Sequence, residues 1–163
     1  MTVTEMRHVT ILVCGEPMRG DDAVGEAVVR ALPATTLQLG EVCHVGGLMP
    51  DDLMAAGAPV IVVDAVHGLP AGTVVDVPLA ALPELAAVGA TPESTHAIPL
   101  PTVLGIVERL AGELPEGRFI GVAAGTDLIG APLSEPVREA VDVCAARLGH
   151  WIRTLAHPTV GTS

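Results

Sequence analysis

Aromatic side chains are almost absent from this chain: among 163 residues there are one Phe, one Trp and no Tyr. Stacking platforms for nucleic-acid bases are missing, and the core must be assembled from Val, Leu, Ile and Ala. Positive charge is scarce as well. Eight Lys and Arg stand against nineteen Asp and Glu, a net charge of −11, so the summed field repels polyanions and anionic lipid. Nucleic acid and membrane surfaces are thereby excluded as general partners. The three cysteines, Cys14, Cys43 and Cys144, are odd in number and have no C-x-x-C spacing. That pattern speaks against a disulfide framework or a thiolate zinc site and for plain buried thiols. The longest uncharged stretch, residues 94–107, contains two prolines and falls short of the roughly 18 apolar residues a spanning helix needs. The segment MTVTEMRHVTILVCGE holds only a short apolar run between Glu5 and Glu16, unlike a secretory leader. A cytoplasmic location is expected.

Half of the residues are apolar, and 18 Gly and 14 Pro punctuate the apolar segments rather than form a linker. No repeat, charge run or low-complexity stretch divides the chain, so one domain over residues 1–163 is expected. Short β-branched runs alternate with amphipathic ones, the pattern of an α/β domain. VTILVC at 9–14 reads as a strand buried on both faces. Behind it, Asp21 or Asp22 can cap a helix carrying Val24, Ala27, Val28, Ala31 and Leu32, which Pro33 stops. A second strand is read at 37–45, a short helix at 50–56 ended by Gly57, and the clearest strand at 59–66, running straight into Asp64. The strand at 73–77 follows too closely for a helical crossover and must be antiparallel, which makes the sheet mixed. Prolines 78, 83 and 92 leave room only for a short or irregular helix between 78 and 93. Leu100, Val103, Leu104, Val107 and Leu110 mark an amphipathic helix with Pro101 in its first turn. A last strand is read at 118–124. Ser134 then caps a final helix with the stripe Val137, Val141, Cys144, Leu148, Trp151 or Ile152, and Leu155.

In an open α/β sheet, ligands bind beyond the carboxyl ends of the parallel strands. Asp22 follows the first strand, Asp64 ends the third, and His96 lies in the loop ESTHAIP. Two carboxylates and an imidazole suit a divalent first-row cation with positions left open for water or substrate. Each also has a plain structural reading: Asp22 as a helix cap, Asp64 as a turn residue, His96 as a solvated loop residue. His67 and His44 stand near strand ends, and His67 is a further candidate for the site. His8, His150 and His157 read as surface or terminal residues. The loop GEPMRGDD has glycines at P-loop spacing, but Asp21 and Asp22 replace the Lys and Ser or Thr that would meet phosphate and magnesium. There is no G-x-G-x-x-G and no G-x-S-x-G. Cys14, the only thiol near the crevice, reads as packing.

Taken together, ILVCGEPMRGDDAVGEAVVRAL, VIVVDAVHGLPAGTV, STHAIPL and FIGVAAGTDLIGAPLSEPVREAVDVCAARL resemble the nickel-iron hydrogenase maturation endopeptidases over most of the chain. The resemblance implies a three-layer α/β/α domain, phosphorylase/hydrolase-like, with a five-stranded mixed sheet ordered 2-1-3-5-4 and strand 4 antiparallel. It implies metal binding and catalysis by Asp22, Asp64 and His96. The implied reaction is hydrolysis of one peptide bond near the carboxyl terminus of a hydrogenase large-subunit precursor after nickel insertion. Nickel would be carried by that precursor, with no tightly bound organic cofactor on the protease, which is expected to be a monomer. Two departures from the family pattern stand out. Glu16 replaces the usual Asn of a GN-P turn, adding a carboxylate that either approaches the crevice or faces solvent, and AAGTD replaces the Pro and acidic segment after the last strand. Two other functions share the same residues: a metallohydrolase with its own zinc, and a non-catalytic hydrogenase-assembly binding protein.

Overall fold

The computed structural model describes residues 5–87 and 98–158. Five strands form one sheet in the order β2-β1-β3-β5-β4, with β1 Val9–Cys14, β2 Gly40–Gly46, β3 Val60–Val66, β4 Val74–Pro78 and β5 Gly117–Ala123. The pairs β1–β2, β1–β3 and β3–β5 are parallel, and β4 runs antiparallel to β5. This is the mixed sheet with a reversed strand that the sequence pattern leads one to expect, in the 2-1-3-5-4 order that the family resemblance implies.

Strand periodicity divides the core in two. Val9, Ile11 and Val13 of β1, Ile61, Val63 and Ala65 of β3, and Ile120 and Val122 of β5 face one layer. There they meet α1 Val24–Arg30 and the long α6 Glu135–Ala156. Leu12 and Cys14, Val60, Val62 and Val66, and Phe119 and Ala123 face the other layer. Against them pack α3 Pro50–Ala56, α5 Leu100–Ala111 and the short turn and helix Leu79–Ala81 and α4 Leu82–Ala87. β3 is buried along its whole length because it is central and covered on both sides. The sheet therefore sits as the middle of three layers.

Several boundaries differ from expectation. The residues before β2 form a helical turn, α2 Ala34–Leu37, because the extended Pro33 stands at its amino end and its carbonyl accepts from the Thr36 and Leu37 amides. β2 accordingly begins at Gly40 rather than at 37. Neither Asp21 nor Asp22 caps α1. Both lie in a 3-10 turn, Gly20–Ala23, and α1 begins behind Ala23 with no side-chain cap. Ser134 does occupy the residue before α6, but its hydroxyl donates to Asp21 instead of accepting from its own helix. Leu110 is exposed, since α5 turns its last stripe position to solvent before ending at Gly112 in the left-handed region. Of the segment 78–93, residues 88–93 lie outside the described residues, as does His96.

Asp76 on the edge strand β4 anchors α6. It accepts from Arg118 Nε on β5 at 2.9 Å and from the Trp151 indole Nε1 at 2.9 Å, and Arg147 stands at 3.5 Å. The Arg118 guanidinium lies over the Trp151 ring, 3.7 Å from its centroid, a cation–π contact largely screened from water. This explains why the one Trp sits beside the core stripe rather than in it. Replacing Asp76 with Ala leaves an indole N–H and a guanidinium without their acceptor, at a cost of about 2 kcal/mol. We expect Tm to fall by roughly 4–8 °C. Trp151 fluorescence, with no other indole in the chain, should shift to the red at the same time.

Candidate active site

From β1 the chain crosses to β2 through α1 on one face, then to β3 on the far side of β1 through α3 on the other face. The loops leaving β1 and β3 consequently diverge, and the gap between them, beyond the carboxyl ends of these two strands, is the topological switch point at which such sheets take ligands. Asp22 lies in the first of these loops. Asp64 lies near the end of β3, three residues before His67.

The loop after β1 is shaped around Asp22. Gly15 has φ +105°, and a Cβ there would lie 2.0 Å from the Asp22 carbonyl oxygen, so no other residue fits. The Gly15 amide donates to the Gly46 carbonyl at the end of β2, and the Glu16 amide donates to Asp22 Oδ2 at 2.8 Å. Behind Asp22, Gly25 lets α1 approach the strand ends: a Cβ there would meet the Cys14 carbonyl at 3.0 Å and the Val63 carbonyl at 3.4 Å. Asp22 is thus set by close backbone contact on both sides. Its carboxylate is largely buried, and that of Asp64 is more so.

Asp64 shares strand parity with Val60, Val62 and Val66, so its side chain takes the place of a core residue on the α3/α5 face. Its Oδ1 accepts from the Ala65 amide at 2.8 Å. Cys14, at the end of the neighbouring β1, is within electrostatic reach of both carboxylates. Burial foremost, then the charges of Asp64, Asp52 and Asp22, push its thiol far above the ordinary range. Asp52 serves α3 by accepting from the Met49 amide at 2.8 Å.

A fourth carboxylate was not singled out from the sequence as a site residue. Asp21 is wholly buried and accepts four hydrogen bonds: from the Gly125 amide (2.7 Å), the Thr126 amide (2.9 Å) and the Ser134 hydroxyl (2.7 Å) on Oδ2, and from the Ser134 amide (2.6 Å) on Oδ1. Burial opposes its ionisation, but these donors outweigh burial and hold the carboxyl below the usual aspartate range. The visible signal was the pair Asp21–Asp22 itself, two adjacent acids in a loop that needs at most one cap.

The structure places Asp22 in the 3-10 turn of the loop after β1 and Asp64 on β3, and β1 and β3 are the two strands that flank the switch point. Glu16 has an exposed side chain and joins the site by its amide, and His67 is half-buried just after β3. His44, His8, His150 and His157 are exposed. Among the described residues no three of His, Cys, Asp and Glu are arranged to hold a metal ion. His96 falls outside that set.

Solved structures share this architecture. The [NiFe] hydrogenase maturation protease HybD from Thermococcus kodakarensis superposes with a TM-score of 0.67 at 22% identity, covering 89% of this chain and 99% of that one. The hydrogenase maturating endopeptidase HybD from E. coli gives 0.69 at 21%, covering 90% and 92%. The maturation protease HycI from Thermococcus kodakarensis KOD1 gives 0.59 at 26%, covering 91% and 94%. The fold is that of the hydrogenase maturation proteases. No family profile and no curated protein sequence matches the chain, so this likeness is carried by structure. In this maturation-protease fold the loop after β1 carries Asp22 and the end of β3 carries Asp64, and the Cys14 thiol at the end of β1 is not fit to act as a nucleophile.

The thiols give a direct check. Cys144, on the buried face of α6, is pushed up to about 12 by burial, with the nearby Asp76 adding to the effect, while Cys43 is half-buried on the edge strand β2. At pH 8 an aromatic disulfide reagent should modify Cys43 in the native protein and leave Cys14 and Cys144 at least about a hundredfold slower. All three should react after denaturation. Fast native labelling of Cys14 in a Cys43→Ser variant would contradict the packing described.

Proposed function

We propose that this chain is a metal-dependent endopeptidase that removes the carboxyl-terminal extension of a nickel-iron hydrogenase large-subunit precursor after nickel insertion. The observation that carries the reading is the pair of buried carboxylates, Asp22 and Asp64, at the switch point of a fold shared with proteins named as hydrogenase maturation proteases. Nickel belongs to the substrate: it arrives in the precursor and takes further ligands from Asp22, Asp64 and His96. Oxygen and nitrogen donors from one strand and two loops suit such capture, since they leave coordination positions to the precursor's own ligands. Once the ion is shared, the scissile peptide lies beside the Asp22 and Asp64 side chains, water adds to its carbonyl, and a proton from that water passes to the departing amine nitrogen as the C–N bond breaks. Glu16 and His67 border this reaction. The protein acts in the cytoplasm as a monomer with no tightly bound organic cofactor and no nucleic-acid or membrane partner. The net charge of −11 supports the last point. No helix among the described residues is long and apolar enough to cross a membrane.

The test is incubation with nickel-loaded and nickel-free precursor, followed by mass measurement. The loaded precursor should lose one carboxyl-terminal fragment and the nickel-free form should stay intact. Equal cleavage of both would overturn recognition through nickel, and no cleavage of either would overturn the endopeptidase reading. Asp64→Asn keeps an acceptor for the Ala65 amide while removing the charge. It should lower processing by at least about a hundredfold with the cooperative unfolding transition preserved. His96→Ala and Asp22→Asn should behave alike.

A further inference from the structure

The loop between β5 and α6, residues 124–134, is tied to the loop after β1 at several points. Asp21 holds its beginning through the Gly125 and Thr126 amides and its end through the Ser134 amide and hydroxyl. The Asp21 amide donates in return to the Thr126 carbonyl at 2.8 Å, and the Gly130 amide donates to the Met18 carbonyl at 2.7 Å. Arg19 and Asp127 face each other at 3.7 Å on the outside. All four groups meeting the Asp21 carboxylate are donors. An Asn in its place would turn an NH2 group toward one of them, so a carboxylate is what this position requires.

Between the tied points the loop projects large apolar side chains into water. Leu128 is 68% exposed and Ile129 81%, and Met18, on the loop that carries Asp22, is 68% exposed. Holding such side chains on a heavily bonded backbone serves no packing purpose in the isolated chain. It does present an apolar surface in a fixed place on the two loops that leave β1 and β5. We propose that Asp21 is a positioning residue for precursor processing, and that the loop it holds is the wall that grips the precursor chain, with Met18, Leu128 and Ile129 supplying apolar contacts to an extended segment near the scissile bond. The proposal rests on the endopeptidase reading above and assigns the recognition surface that reading leaves open.

The experiment combines hydrogen exchange with processing kinetics on the full chain. In Asp21→Asn the amides of residues 124–134 should exchange at least about tenfold faster than in the wild type while those of β1 and β3 are unchanged. Ser134→Ala, which removes one of the four donors, should do so to a smaller degree and covers the case in which Asp21→Asn fails to fold. The double variant Leu128→Ser, Ile129→Ser alters only exposed positions. It should keep the wild-type Tm and kcat and raise KM for nickel-loaded precursor roughly tenfold. Unchanged loop exchange in Asp21→Asn and Ser134→Ala would overturn the brace, and an unchanged KM in the double variant would overturn the gripping wall. If the wild-type chain cuts no precursor, the endopeptidase reading fails and takes the gripping role with it, whereas the exchange result still decides whether Asp21 holds the loop.

Discussion

A carboxylate removed from water demands donors or a cation, and the carboxyl-terminal edge of this sheet buries three within a short reach of chain and strand. Asp21 is met by four donors from a single distant loop and by none from its own helix. Asp22 takes an amide from the loop that it closes, and Asp64 takes the amide of the next residue. The architecture around them follows from this demand: a loop folded back against its own aspartate, a final helix whose Ser134 hydroxyl is diverted to a carboxylate, and a glycine where the Asp22 backbone presses on the end of β1. Charges concentrated in this way are stabilised further by a divalent ion. That is the physical link between the core of the fold and the proposed capture of precursor-bound nickel.

The same constraint separates two kinds of acid at one crevice. Asp21 is saturated by hydrogen bonds from protein and acts on structure, while Asp22, in the loop after β1, and Asp64, on β3, stand at the switch point, where chemistry is expected. Cys14, at the end of β1, is shielded by burial and feels the charges of Asp64, Asp52 and Asp22, so hydrolysis through a thiolate has no support there. Away from the crevice the molecule deals with charge differently. Asp76 gathers Arg118, Arg147 and the Trp151 indole at the edge of the sheet and joins α6 to β4 with no part in the site.

Legibility in the sequence followed the range of the interactions. Val9–Cys14 and Val60–Val66 announce themselves because a strand covered on both faces must be apolar throughout, and Asp64 is visible as the one polar residue in such a run. The hairpin-like spacing before Val74–Pro78 indicated the reversed strand. Asp21 was legible only as one of two adjacent acids, since its partners lie 104 to 113 residues away. Ser134 showed every local mark of a cap and was claimed by that same distant carboxylate. The turn at Ala34–Leu37 was missed because the alternation Leu37, Gln38, Leu39 imitates a strand while Pro33 in fact starts a helical turn. Local pattern gave the scaffold, Asp64 at the end of β3 and Asp22 in the loop after β1. Contacts between the loops needed coordinates.

The central claim is that Asp22, Asp64 and His96 share one divalent ion. Diffraction from crystals of the protein soaked in nickel, with data on both sides of the nickel absorption edge, tests it most directly. The account predicts one dominant anomalous peak beyond the ends of β1 and β3, bounded by carboxylate oxygens of Asp22 and Asp64 and by the His96 imidazole at about 2.0–2.2 Å. A dominant peak held by other residues, with Asp22 and Asp64 turned away from each other, would contradict it.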